Sequence, residues 1–171
     1  MTQHSTGPLP AKGFHAYVGC VNPMIPAAPP EPTPDAAIAA IADELALMDG
    51  VFGPYELVLD WAKALPPLPA ALQRDELLVP GCQSKVWLVV HAEGGRLWFQ
   101  GDSDAPIVRG LVAMMLRIFS GRSAAEIAAA DFAALERLDL AGLRLSMNRG
   151  NGVAAMARKI RARAEAGQQA A

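Results

Sequence analysis

Cysteine is almost missing from the 171-residue sequence, which holds only Cys20 and Cys82. Two are too few for the disulfide framework of a small secreted domain, and no C-x-x-C pair begins a zinc site or a thioredoxin-like motif. A reducing, cytoplasmic setting is therefore the expectation. Charge of one sign is lacking as well. The 15 Lys+Arg stand against 17 Asp+Glu, a formal net charge of −2, so the basic excess that phosphate-dominated nucleic-acid binding needs is absent. Long hydrophobic runs are missing too: the strongest, residues 111–116, falls far short of a membrane span. The first thirty residues carry a single Lys and no apolar core of the kind a secretory leader uses. Neither a nucleic acid nor a membrane is expected as a partner. Aromatics are scarce at 6% while the apolar fraction reaches 52%, so the core must be assembled from Ala, Leu, Val, Ile and Met.

Proline is unevenly spread. Eight of the 14 fall within residues 1–34, where they fix φ and remove backbone donors too often for a helix or a central strand. That stretch reads as an N-terminal extension, and residues 35–165 as the domain, followed by a frayed tail at 166–171. Thr33 and Pro34 supply a cap and a first helical residue; Ile38, Ile41, Leu45 and Met48 follow at helical spacing, with Gly50 as the stop. A second helix opens at Gly53-Pro54, presents Tyr55, Val58, Leu59, Ala62 and Leu65 on one face, and ends before Pro66-Pro67. Val86-Trp87-Leu88-Val89-Val90 and Arg96-Leu97-Trp98-Phe99-Gln100 predict a hairpin around Gly94-Gly95, extended by the segment before Cys82. Gly101-Asp102-Ser103-Asp104 reads as a capping segment, and residues 107–119, apolar nearly all round except Arg109 and Arg117, as the central helix. Ser123 with Glu126 forms a capping box, Asp131 caps another short helix, and a last helix aligns Val153, Met156, Ala157, Ile160 and Ala164.

Among residues able to carry chemistry, Cys82 stands out because it lies in a loop before a strand, after Pro80-Gly81 and before the polar pair Gln83-Ser84. Cys20 has no such setting. Asp102 and Asp104 could be read as paired carboxylates, but their place before a long helix makes capping the leading account, and the segment offers too few oxygens for a metal. His91, at the end of the first strand, is the one candidate base for a Cys-His pair; it would make the chain a free-standing cysteine-nucleophile hydrolase or transferase.

Four separated segments carry a resemblance: Leu65-Pro66-Pro67-Leu68-Pro69; Val79-Pro80-Gly81-Cys82-Gln83-Ser84-Lys85-Val86-Trp87; Gln100-Gly101-Asp102-Ser103-Asp104 with Ile107-Val108-Arg109-Gly110-Leu111; and Leu145-Ser146 with Arg149 and Asn151-Gly152. In this order they resemble the SufE family of sulfur acceptors for cysteine desulfurases, over roughly residues 35–165. Met147 stands where that family commonly has a proline. The resemblance implies an α+β fold of the SufE/IscU-like kind, a small curled antiparallel β-sheet with helices packed mainly on one face. It implies that Cys82 takes persulfide sulfur from a cysteine desulfurase (SufS/CsdA-like), stimulates that enzyme and relays the sulfur to an iron–sulfur scaffold complex. Arg149 becomes the candidate for stabilising the thiolate, while Arg74, Asp75, Gly81, Gln83, Ser84 and Lys85 form the rim around the docking point. No cofactor is expected on this chain; pyridoxal phosphate belongs to the desulfurase. A third reading keeps the docking but not the chemistry, making the domain a modulator of a desulfurase.

Overall fold

The computed structural model of the chain describes residues 30–48, 50, 52–138 and 147–169, the side chains of 147–151 excepted. Cys20, with the rest of the extension up to residue 29, lies outside the described residues. Helix α1 (Pro34–Ala46) starts as its sequence predicts, with the Thr33 hydroxyl accepting the Ala36 N–H at 3.1 Å and Ile38, Ile41 and Leu45 buried. It stops a turn before Gly50, leaving Met48 outside the helix and partly exposed. The chain bends early because α2 (Gly53–Ala64) begins directly against Met48; a Cβ on Gly53 would stand 3.0 Å from the Met48 Cβ. Two short 3-10 turns, Ala70–Leu72 and Asp75–Leu77, follow in a stretch that the sequence marks only as loop.

Strands β1 (Val86–Glu93) and β2 (Arg96–Ser103) pair antiparallel across Gly94-Gly95, both at positive φ (59° and 74°). That is the backbone a two-residue turn joining twisted strands requires. The two faces of the hairpin follow the period of two. Val86, Leu88, Val90, Leu97 and Phe99 enter the main core, while Trp87 and Val89 join Leu68 and Leu77 in a smaller cluster under the 3-10 segment. Isolated pairing of Leu78 with Trp87 extends the sheet ahead of Cys82, as expected. A third strand, β3 (Arg122–Ser123), lies on the other side of β2. At two residues it is too short to show any alternation.

The expected capping segment is instead the end of β2, which runs through Gly101 and Asp102 to Ser103. Asp102 caps nothing: its carboxylate accepts the Leu68 N–H at 3.0 Å and the Ser103 N–H at 2.8 Å, and it pairs with Arg109 Nε at 3.1 Å. Helix α3 (Pro106–Phe119) therefore starts without a side-chain cap and relies on Pro106. It is the centre of the main core, with ten of its 14 residues buried. The capping box of Ser123 and Glu126 opens α4 (Ala124–Ala128), and Asp131 caps α5 (Phe132–Glu136). Helix α6 (Met147–Gln169) buries Val153, Met156, Ala157, Ile160 and Ala164 as predicted, and continues through Gly167 to Gln169 where the sequence suggested fraying. Glu31 is already fastened, its carboxylate to Arg117 and its carbonyl to Arg122 Nη2 at 2.6 Å.

One glycine decides the packing of α2 on α3. A Cβ at Gly110 would stand 2.1 Å from the Val58 carbonyl oxygen and 2.5 Å from its side chain. Backbone cannot retreat as a flexible side chain can, so Gly110→Ala is expected to lower stability by at least about 2 kcal/mol, read as a fall in the denaturant midpoint of unfolding.

Candidate active site

Cys82 sits at the tip of a short loop with a tightly fastened base. The Val79 N–H donates to the Val86 carbonyl at 2.8 Å, closing the loop across the start of β1. On the far side the Lys85 N–H donates to Asp104 at 3.0 Å, and the Ser103 hydroxyl to the Lys85 carbonyl at 2.8 Å. Between these anchors the chain turns at Gly81, whose φ of +86° a side chain would strain. The turn lays Cys82 against the first part of α6: its Sγ is 4.0 Å from the Gly152 carbonyl oxygen, the long limit of a thiol hydrogen bond. Gln83, Ser84, Val108, Leu111, Gly152 and Met156 complete a cleft of about 10 Å³, room for one water at most.

The half-buried thiol is pushed up from its ordinary range by desolvation, and the positive charges of Arg158 and Lys159 pull it only part of the way back. Burial presses on Lys159 in turn, lowering its ammonium to about 8 against the favourable influence of Cys82. At neutral pH the resting thiol is thus protonated. Lys159 Nζ donates to the carbonyls of Leu77 at 3.1 Å and Leu78 at 3.2 Å, immediately ahead of the Cys82 loop. Among the described residues there is no group of three His, Cys, Asp or Glu side chains that could hold a metal ion.

Residues 39–164 match the family described as "SufE: Fe-S metabolism associated domain". The chain belongs to the SufE family. It is 44% identical over 131 residues to an uncharacterised SufE-like protein of Rhizobium meliloti (strain 1021), covering 73% of this chain and 92% of that one. To the sulfur acceptor protein CsdE of Escherichia coli (strain K12) it is 40% identical over 109 residues, 62% of this chain and 73% of the other. A solution structure of a hypothetical protein from Thermus thermophilus superposes with a TM-score of 0.63 at 16% identity, covering 78% of this chain and 96% of that one. That likeness is one of fold, and it agrees with the expected α+β architecture.

The SufE motifs, scattered in sequence, are joined in space by a few polar contacts. Arg109 donates to the Leu65 carbonyl while its partner Asp102 holds the Leu68 N–H, so one motif straps down another. The loop motif meets the last motif where Cys82 reaches Gly152. Arg149 lies one helical turn before Gly152 in α6, with its side chain outside the described residues, as are Leu145 and Ser146. Met147, in the place of the proline, is the first residue of α6. Gly81, Gln83, Ser84 and Lys85 flank Cys82, all but Ser84 exposed; Arg74 and Asp75 are exposed at the start of the second 3-10 turn, whose last residue is tied to Lys159. His91 is not brought to the thiol. It lies five residues along β1 from Val86, about 16 Å at the usual rise, and its Nε2 is 3.0 Å from Gln100 Oε1.

Arg158 and Lys159, whose charges act on the thiol, were not singled out from the sequence. The signal was present: Gly152, Met156 and Lys159 recur at i, i+4 and i+7, one stripe of a helix. The expected behaviour of the thiol follows from its burial. In a Cys20→Ser chain, iodoacetamide should alkylate Cys82 at neutral pH at least about tenfold more slowly than in the same chain unfolded in denaturant. The folded-state rate should keep climbing past the ordinary cysteine range. A plateau below that range would mean the thiolate is already stabilised at rest.

Proposed function

We propose that this SufE-family chain is a sulfur acceptor in which Cys82 receives the terminal sulfur of a persulfide carried by a cysteine desulfurase. The observation that carries the reading is the Cys82 cleft itself. A loop cysteine is backed by α6 at the tip of a fastened loop, and among the described residues the cleft beside it has space for no more than a water. That arrangement suits a donor sulfur that arrives on another protein and is met by the thiol at the loop tip. The name of the Escherichia coli relative, a sulfur acceptor protein, supports the same reading.

In the transfer, the Cys82 thiolate attacks the outer sulfur of the desulfurase persulfide. A bond forms between Cys82 Sγ and that sulfur, and the sulfur–sulfur bond on the desulfurase breaks. The desulfurase cysteine departs as a thiolate and takes up the equivalent of the proton Cys82 lost, so no net oxidation or reduction occurs. Pyridoxal phosphate serves the desulfurase in producing its persulfide. This chain's share is to present the thiol, shelter the product and pass the sulfur to an iron–sulfur scaffold complex. Clearing the persulfide stimulates the desulfurase. Arg74, Asp75, Gly81, Gln83, Ser84 and Lys85 form the rim that meets the partner, and Arg149 acts from the first turn of α6.

Incubation with a cysteine desulfurase, pyridoxal phosphate and cysteine, without reductant, should add the mass of one sulfur atom to the intact chain, mapped by peptide analysis to Cys82. Cys82→Ser should lose both the added sulfur and the stimulation while still binding the desulfurase. Stimulation that survives in the serine chain would overturn the transfer reading in favour of docking alone.

A further inference from the structure

A second cavity lies away from the cysteine loop. Between α1, α2 and α3 the described residues line a space of about 270 Å³, against the roughly 150 Å³ that lets an apolar cavity take up a benzene. Its floor is formed by Ile41, Leu65, Met114 and Leu116, all buried, and its rim includes the exposed Pro30, Ala64 and Pro66. The two polar residues in its wall already have partners. Arg117 is held by Glu31 and Glu44, and the Ser120 hydroxyl accepts the Phe99 N–H at 2.9 Å. A charge or an unmatched polar group entering the cavity would lose its water without compensation, so the cavity suits apolar side chains.

The chain itself leads to this cavity. Glu31 is fastened through its carboxylate to Arg117 and through its carbonyl to Arg122, which sets Pro30 at the rim. Going back from Pro30, the sequence runs through Pro29, Ala28, Ala27 and Pro26 before the first large apolar side chains, Ile25 and Met24. That tether spans about 15 Å when extended in polyproline geometry, and Pro26 stands directly after Ile25, where a reversing turn favours proline. The pair is therefore within reach of the cavity floor. Lys12 is the only charged side chain in residues 1–29, so the segment brings no charge that the cavity would have to bury. A tether this short holds the pair at an effective concentration of about millimolar at the rim, which a free apolar molecule rarely matches. We propose that the cavity is the docking seat of Met24 and Ile25 of the same chain, with Pro30 as the lip over which the segment enters. The seated pair covers Ile41, Met114 and Leu116 and packs the N-terminal extension against the start of the proline-rich strap at Leu65-Pro66. This docking goes beyond the acceptor reading and does not depend on it.

The test is peroxide oxidation of the full chain, followed methionine by methionine with peptide mass spectrometry. Met48, 37% exposed, serves as internal reference, and Met114, 1% exposed, monitors the fold. Met24 should oxidise more slowly than Met48. Ala113→Leu, which puts a side chain into the cavity from α3, should raise the Met24-to-Met48 rate ratio by about tenfold, the factor for a seat otherwise filled about nine-tenths of the time, while Met114 stays protected. Ile25→Asp, a change confined to the extension, should raise the ratio in the same way, because a carboxylate does not enter an apolar cavity. Met24 oxidising as fast as Met48 in the unaltered chain would overturn the proposal. So would a ratio left unchanged by Ile25→Asp, or by Ala113→Leu, since Met24 would then be sheltered elsewhere. Protection that grows with protein concentration would also overturn it, by seating the segment of a second copy in the cavity. Should Ala113→Leu expose Met114 and so report unfolding, Ala64→Phe at the exposed rim is read in its place, its ring competing for the same cavity, with the same two outcomes.

Discussion

The contact of α2 with α3 at Gly110 sets the position of everything else. With the Val58 backbone 2.1 Å from where a Cβ would be, the two helices lie as close as polypeptide permits, and only glycine allows it. α3 seated at that depth places Val112 against Gly101 of β2 on its sheet side, where a Cβ on Gly101 would again be too close at 2.8 Å. The same helix turns Val108 and Leu111 toward the cysteine loop. A shift of α3 outward by one methyl group would open the core on one side and the floor of the Cys82 cleft on the other.

Into this apolar helix the sequence inserts two arginines, and both fasten irregular chain to the regular core. Arg109 binds Asp102 and the Leu65 carbonyl, holding the proline-rich strap that crosses from α2 toward the 3-10 turns. Arg117 binds Glu31 and Glu44, tying the stretch ahead of α1 to α1 itself. Burial works to raise the Glu31 carboxyl, yet the hydrogen bonds and charge of Arg117 hold it below its ordinary value. Segments without repeating backbone bonds are thereby given fixed seats, and the strap so held covers Trp87 and Val89 on the second face of the sheet.

Helical periodicity, proline at first turns, the Gly-Gly hairpin and the capping box were legible in the sequence because each is local. Their cues lie within a few residues of one another. Asp102 was misread for the complementary reason. An aspartate ahead of a helix has the appearance of a cap, and nothing in its neighbourhood reveals that its partners are Leu68, 34 residues earlier, and Arg109. The two-residue β3 offers no pattern at all. At the candidate site, Cys82 and its loop could be picked out from Pro80, Gly81 and the polar pair after it. Lys159 could be placed on one helical stripe with Gly152 and Met156, but nothing in the sequence shows that this stripe meets the loop. The SufE motifs mark which segments converge; the pairings of side chains that make them converge emerge only in three dimensions.

The order β1-β2-β3 leaves β1 at the rim of the sheet. Among the described residues its outer backbone is met only near its start, by the Leu78 bridge to Trp87 and the Val79 bond to Val86. An open strand rim is a template for unwanted pairing with another chain. Leu78 and Val79 cover the start of that rim, just ahead of the cysteine loop. Leu77 and Leu78 are tied to α6 through Lys159, so the cover over the start of β1 is fastened independently of the tip of the cysteine loop.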